Sequence, residues 1–175
     1  MDQGWAAIAG AGVGVLGAVM TGLVAAAGLR RQSRDQLAGT HAQWRRQLRR
    51  DAYAAFLAAA HRFQTEARAL SPALGSDQSS LVERGLQVLG SAEGLLLERA
   101  QDVDLEGPDF MVQAMHPMLA TAKQIVVDAT IWLELAGRSD PGTAQIHMRF
   151  AEHREDLANQ IAVFRDAARQ DLQAP

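Results

Sequence analysis

Five histidines, His41, His61, His116, His147 and His153, are the side chains of this cysteine-free, 175-residue chain best placed for metal or acid–base chemistry at neutral pH. Metal ligands on a helix sit three or four residues apart so that they share a face. The nearest pair, His147 and His153, is six apart and points to different sides. Neither the Glu-x-x-His pairs of di-iron bundles nor a His-Glu-x-x-His zinc pattern occurs. His153 falls on an apolar stripe, where a lone histidine reads as a hydrogen-bonded core residue rather than a ligand. Gly10-Ala11-Gly12-Val13-Gly14 has the glycine content of a phosphate loop, but no Lys-Ser/Thr follows it and no strand precedes it. No nucleophile elbow is present. The expectation is a protein that is not an enzyme, with no catalytic, cofactor-binding or metal-binding residue to assign.

The other chemistry lies in arginines. Arg30, Arg31 and Arg34 come directly after Trp5–Leu29, 25 residues without a charged side chain, His, Asn or Gln. As a helix that stretch is roughly 37 Å long at 1.5 Å per residue, enough to cross a hydrocarbon core of about 30 Å with some tilt. A secretory signal peptide needs its basic residues before a shorter apolar run, whereas here Met1-Asp2-Gln3-Gly4 precedes the run and the arginines come after it. A buried helix of a soluble protein would keep one face polar. Residues 1–30 are therefore expected to be a membrane anchor. Arginine accumulates on the cytoplasmic side of a span, so the amino terminus should face out and the remaining chain should lie in the cytoplasm at the plasma membrane. Trp5 then sits at the outer interface, where an indole can bury its ring and keep its N–H among headgroups.

Ala6, Gly10, Gly14, Ala18, Gly22 and Ala26 recur every four residues and draw one ridge of small side chains along the span. Close packing drives helix association in lipid, so the ridge suits a homo-oligomer; a span so rich in alanine and glycine also produces such a ridge by composition alone.

Charge divides the chain. Residues 1–50 carry seven arginines against Asp2 and Asp35, while residues 51–175 carry ten basic and eighteen acidic groups. An acidic body disfavours nucleic acid, whose affinity for proteins rests on basic contacts to phosphate. The chain beyond the anchor is one ordinary domain in size.

Its periodicity is helical throughout. In the stem, residues 31–71, Leu37, His41, Trp44, Leu48, Ala52, Ala55 and Ala59 repeat at steps of four and three, with Phe56 and Phe63 at the margin. That helix should end near Ser71-Pro72, because a residue before proline is pushed out of the helical region. Residues 72–175 supply three more helices. One runs from about Leu81 to Ala100 with Leu81, Val82, Leu86, Leu89, Leu96 and Leu97 inward. Another runs from about Asp109 to Leu135, interrupted or kinked at His116-Pro117. The last carries Ile146, Phe150, His153, Leu157, Ile161, Phe164 and Ala168 on one stripe. Short connections favour antiparallel neighbours. The expected fold is all-α: an N-terminal transmembrane helix running into an antiparallel four-helix bundle.

The segment His41–Ala60, HAQWRRQLRRDAYAAFLAAA, resembles a juxtamembrane W-R-R-x-x-R-R-D-A-Y-x-x-F-L run of uncharacterised actinobacterial single-pass membrane proteins. The use of arginine almost to the exclusion of lysine, with Lys123 the single exception, is similar to what such genomes encode. The resemblance implies an actinobacterial plasma-membrane protein and brings no catalytic residue with it.

Arg45, Arg46, Arg49 and Arg50 are candidates for partner or lipid contact. On a straight helix Arg45 lies about 22 Å below Arg30, beyond the roughly 8 Å over which salt screens headgroup charge. Either the chain bends near Gly39-Thr40 and the stem lies on the bilayer, or the arginines meet acids of a partner or of the bundle: Glu98, Asp102, Asp104 and Glu106, or Glu152, Glu155 and Asp156. A solvated charged face is the third reading. In function, the chain is expected to be a membrane-anchored interaction or scaffold module with a protein partner. A holin-like or pore-forming oligomer is the alternative, although Thr21 is the only polar side chain available to line its pore.

Overall fold

A computed structural model describes residues 43–75, 79–138 and 140–174. They form four helices: α1 over residues 43–74, α2 over Ser79–Glu106, α3 over Asp109–Ala136 and α4 over Thr143–Gln173, with no strand among the described residues. By its contacts the chain divides into Met1–Arg45 and Arg46–Pro175, and the second unit is the bundle. The anchor and its marker residues Trp5, Ala6, Gly10, Gly14, Ala18, Gly22, Ala26, Arg30, Arg31 and Arg34 lie outside the described residues. Among the described residues no helix is long and apolar enough to cross a membrane.

Local sequence explains the long first helix. Between Arg45 and Ser71 there is no Gly or Pro, Thr65 is the sole β-branched residue, and alanine, the best helix former, fills six of the nine positions from 52 to 60. Instead of stopping at Ser71, α1 runs on to Leu74. Pro72 removes only one backbone bond in a last turn, and burying Leu74 in the core offsets that loss. α2 likewise runs past Ala100 to Glu106, because Ala100 and Val103 continue its buried stripe. Gly107 and Pro108 end it: the Gly107 N–H closes on Val103 O at 2.8 Å, and Pro108, extended at φ −71°, ψ 159°, leads into α3. Pro117 does not interrupt α3, where Met115, Met118 and Ala122 stay buried on both sides of it.

Successive helices run antiparallel. Tyr53 of α1 lies against Gly107 and Leu70 against Gly85 of α2. Phe56 of α1 meets Phe164 of α4 at a ring separation of 4.8 Å, while Arg49 reaches Asp171. α3 meets α4 through Thr121 with Gln160 and Asp128 with His153. The result is an up-and-down ring, α1–α2–α3–α4, closed by α4 on α1.

The core stripe of α1 is Tyr53, Phe56, Ala60, Phe63, Ala67, Leu70 and Leu74. It is rotated in part from the alanine-rich stripe expected from sequence: Ala52 and Ala59 are buried as expected, but Trp44 is exposed, Ala55 is half-buried, and Phe56 and Phe63 are central rather than marginal. Aromatic rings bury far more apolar area than alanine, so they decide which face turns inward. On α2, Leu81 and Leu97 are likewise exposed, and Val82, Leu89, Ala92, Leu96, Ala100 and Val103 carry the core. The α4 stripe matches expectation, with Ile146, Phe150, Leu157, Ile161, Phe164 and Ala168 all buried.

Candidate functional site

One charged residue is buried among the described residues. Asp128, midway along α3, has 0% of its surface exposed. Its Oδ1 accepts from Arg149 Nε at 3.1 Å and again from Nη2 of the same guanidinium, and its Oδ2 lies 2.8 Å from His153 Nδ1. Arg149 and His153 are four residues apart on α4 and so share a face. With the carboxylate as acceptor, the imidazole donates from Nδ1, and its side chain is 27% exposed. His153 is thus the hydrogen-bonded residue expected on its stripe, and its partner is an acid that pattern reading passed over. The signal existed: Asp128 is the only charged residue between Lys123 and Glu134, and it falls in step with Ile125, Ala129 and Trp132.

One heptad along the same interface, Gln160 Nε2 donates to Thr121 Oγ1 at 3.0 Å, while Gln160 Oε1 is buried without a hydrogen-bond partner. Asp128 and Thr121 are seven residues apart, as are His153 and Gln160, so the α3–α4 interface holds two polar layers in one register.

A general base held by a carboxylate needs a substrate hydroxyl within reach and a cleft to hold it. The described grooves lie instead between α1 and α2. Among the described residues no three His, Asp or Glu side chains converge on a metal position. The Asp128 cluster joins α3 to α4 as a buried polar layer.

A second cluster joins α1 to α4. Arg49 Nη1 donates to both oxygens of Asp171, at 3.1 and 3.2 Å, and Tyr53 OH donates to Asp171 Oδ2 at 3.0 Å. Burial first, and then the hydrogen bond to Asp171 and its charge, push the Tyr53 phenol well above its usual range. Of the four stem arginines only Arg49 meets a bundle acid, and that acid is Asp171 rather than any of those the sequence suggested. Arg45, Arg46 and Arg50 are exposed. Further along this seam Arg154 is half-buried; burial, and then the charge of Arg68, lower its guanidinium pKa.

The outer face of α1 and α2 is built differently. Two shallow grooves run in line between these helices. One, of about 340 Å³, is lined by Leu48, Asp51, Ala52, Ala55 and, from α2, Arg99, Asp102, Leu105 and Glu106. The other, of about 280 Å³, is lined by Glu66, Ala69, Leu70, Ala73 and, from α2, Leu81, Arg84, Gly85 and Val88. Leu48, Ala52 and Ala55, part of the stripe first expected in the core, form the inner wall of the first groove, while Ala59 of that stripe lies buried in the core. On α2, Leu81, Gly85, Val88, Ala92 and Leu95 take the same alternating steps of four and three. Leu81, Val88 and Leu105 stand exposed, Leu105 by 79%. Gly85 lets the helices approach, since a Cβ there would come 2.5 Å from Leu70 Cδ1.

No family model, no curated protein and no solved structure matches the chain.

Proposed function

We propose that the chain is a membrane-anchored cytoplasmic interaction or scaffold module without catalytic activity, whose α1–α2 face takes a helix from a protein partner. The observation that carries the reading is the in-line pair of grooves, flanked by exposed Leu81, Val88 and Leu105 and lined at heptad steps from both helices. Heptad-spaced walls are what a further helix packs into, knobs into holes, and an amphipathic helix in an apolar groove is a recurring mode of protein recognition. The uncharged run Trp5–Leu29 with its arginine exit supports the tether and its orientation. The small-residue ridge of that run supports a homo-oligomer formed within the bilayer, independently of the bundle. The resemblance of the arginine stem supports an actinobacterial plasma membrane as the location.

Position-specific photocrosslinking in native membranes tests the docking face. A photoreactive side chain at Val88 is expected to give a discrete adduct with another protein, and one at the outward-facing Asn159 of α4 is not. Equal yields from the two positions, or none from Val88, would remove the reading. Protease added outside whole cells is expected to leave everything after Arg30 intact, and digestion of the bundle would overturn the topology.

A further inference from the structure

The geometry points to a specific polarity in the helix that docks on α1 and α2: we infer that it is aliphatic where it crosses Leu81 and Val88, and carries Lys or Arg where it crosses Asp51, Asp102 and Glu106. This rests on the interaction-module reading above and adds the chemistry of the occupant.

The two halves of the furrow differ in charge. Around Leu81 and Val88 one acid, Glu66, is balanced by one base, Arg84. Around Leu48 and Leu105 three carboxylates, Asp51, Asp102 and Glu106, stand against Arg99 alone. Arg99 is already engaged by its own helix, 3.3 Å from Asp102 and 3.3 Å from Glu98. Asp102 and Glu106 also fall at the carboxyl end of α2, which has no basic residue in its last turn. The unpaired carbonyls of that end add negative potential rather than relieving it. An apolar floor under a net negative rim, three carboxylates to one arginine, selects a partner with an aliphatic stripe and a cationic end.

Other occupants fit less well. An anionic bilayer surface would be repelled by the same carboxylates. A second copy offers little positive charge on the docking face: of its lining arginines Arg99 is already held by Glu98 and Asp102, which leaves Arg84, while Arg46 and Arg50 lie roughly 160° from Leu48 around α1, at 100° per residue. A two-fold contact uses one patch on both subunits, so it would set Arg84 of each copy against the three carboxylates of the other and leave the rim net negative.

The test uses the full chain in detergent micelles and three fluorescein-labelled helical peptides of about 21 residues, three heptads, with leucine at the a and d positions. They differ only at one end, which carries lysines, glutamates or glutamines. The lysine peptide is expected to bind about tenfold more tightly than the glutamate peptide at low salt, with the gap closing in about 0.5 M salt. Asp51→Asn, Asp102→Asn and Glu106→Gln together should abolish the preference while leaving the leucine-driven binding. Leu81→Gln with Val88→Gln, both at exposed positions, should weaken all three peptides. Equal affinity for the lysine and glutamate peptides, still sensitive to Leu81→Gln and Val88→Gln, would overturn the polarity and leave the docking face standing. Binding by none of the peptides would overturn both. Self-association of the chain that disappears in Leu81→Gln with Val88→Gln would assign the face to a second copy and overturn the proposal.

Discussion

Where α3 meets α4, a fully buried carboxylate takes Arg149 and His153 of the facing helix, and one heptad away Thr121 takes Gln160. Where α1 meets α2, the floor of the contact is Ala, Gly, Leu and Val with charged side chains at its rim, and the side-chain hydrogen bonds of α2 among the described residues stay within that helix. The polar seam has one geometry that satisfies it, because leaving a buried carboxylate without its cation is expensive. The apolar seam tolerates small shifts at little expense, because contact between aliphatic groups is non-directional. α2 is also weakened from within: Gly85, Gly90 and Gly94 interrupt it, each about 1 kcal/mol less favourable than alanine in a helix interior. The α3–α4 contact is thus held by directional bonds, and the α1–α2 contact by non-directional packing.

The largest test of that contrast is Arg149→Met. It leaves the Asp128 charge buried and should cost about 3 kcal/mol, at the low end for a broken buried pair because Arg149 is itself partly solvated. Asp128→Asn, which keeps a hydrogen-bonding group and buries no charge, should cost about 1 kcal/mol. Urea unfolding of both variants checks the asymmetry, and equal losses would mean that charge burial does not dominate the α3–α4 seam.

Tyr53→Phe asks whether α1 is tied on its α4 side. Loss of the hydrogen bond to Asp171 should cost about 1 kcal/mol at neutral pH. The pH dependence has a definite sign. Because the folded state raises the phenol pKa, the unfolded chain loses that proton first, above about pH 10, and stability falls as pH rises beyond it. Tyr53 is the only tyrosine, so Tyr53→Phe should flatten this part of the stability curve.

The smallest effects sit in α2. A Cβ at Gly90 or Gly94 meets nothing within 4 Å, so Gly90→Ala and Gly94→Ala should each stabilise the bundle by about 0.5–1 kcal/mol. Gly107→Ala should act oppositely, since its Cβ would lie 2.7 Å from the Val103 carbonyl oxygen. Thermal unfolding resolves these shifts. Amide exchange should also show α2 opening before α3 and α4, and slower exchange in the Gly90→Ala, Gly94→Ala double variant would tie the difference to those glycines.

Much of this architecture was legible in sequence because helical periodicity and the Gly-Pro breaks report on local structure. The α4 stripe, the Glu106–Asp109 break and the Gly137–Gly142 link could all be read directly. The rotation of α1 could not be read from spacing alone, since Leu48-Ala52-Ala55-Ala59 and Tyr53-Phe56-Ala60-Phe63 both advance by threes and fours. Buried area decides between such stripes. The partners of Asp128 and Arg49 were hidden for another reason. An ion pair spanning 21 residues, as from Asp128 to Arg149, or 122, as from Arg49 to Asp171, depends on which helices become neighbours and in what register. Charge composition carries neither.

The two polar layers of α3 and α4 also act as a check during assembly. Coiled helices are prone to mispairing by one heptad, because the apolar stripes still overlap after the slip. Sliding α4 by seven residues in one direction sets Asp128 opposite Gln160, and in the other direction opposite Ile146. Either error strips the carboxylate of both Arg149 and His153 while it stays in the interior. The mispaired forms are therefore penalised by a buried charge rather than by lost apolar contact.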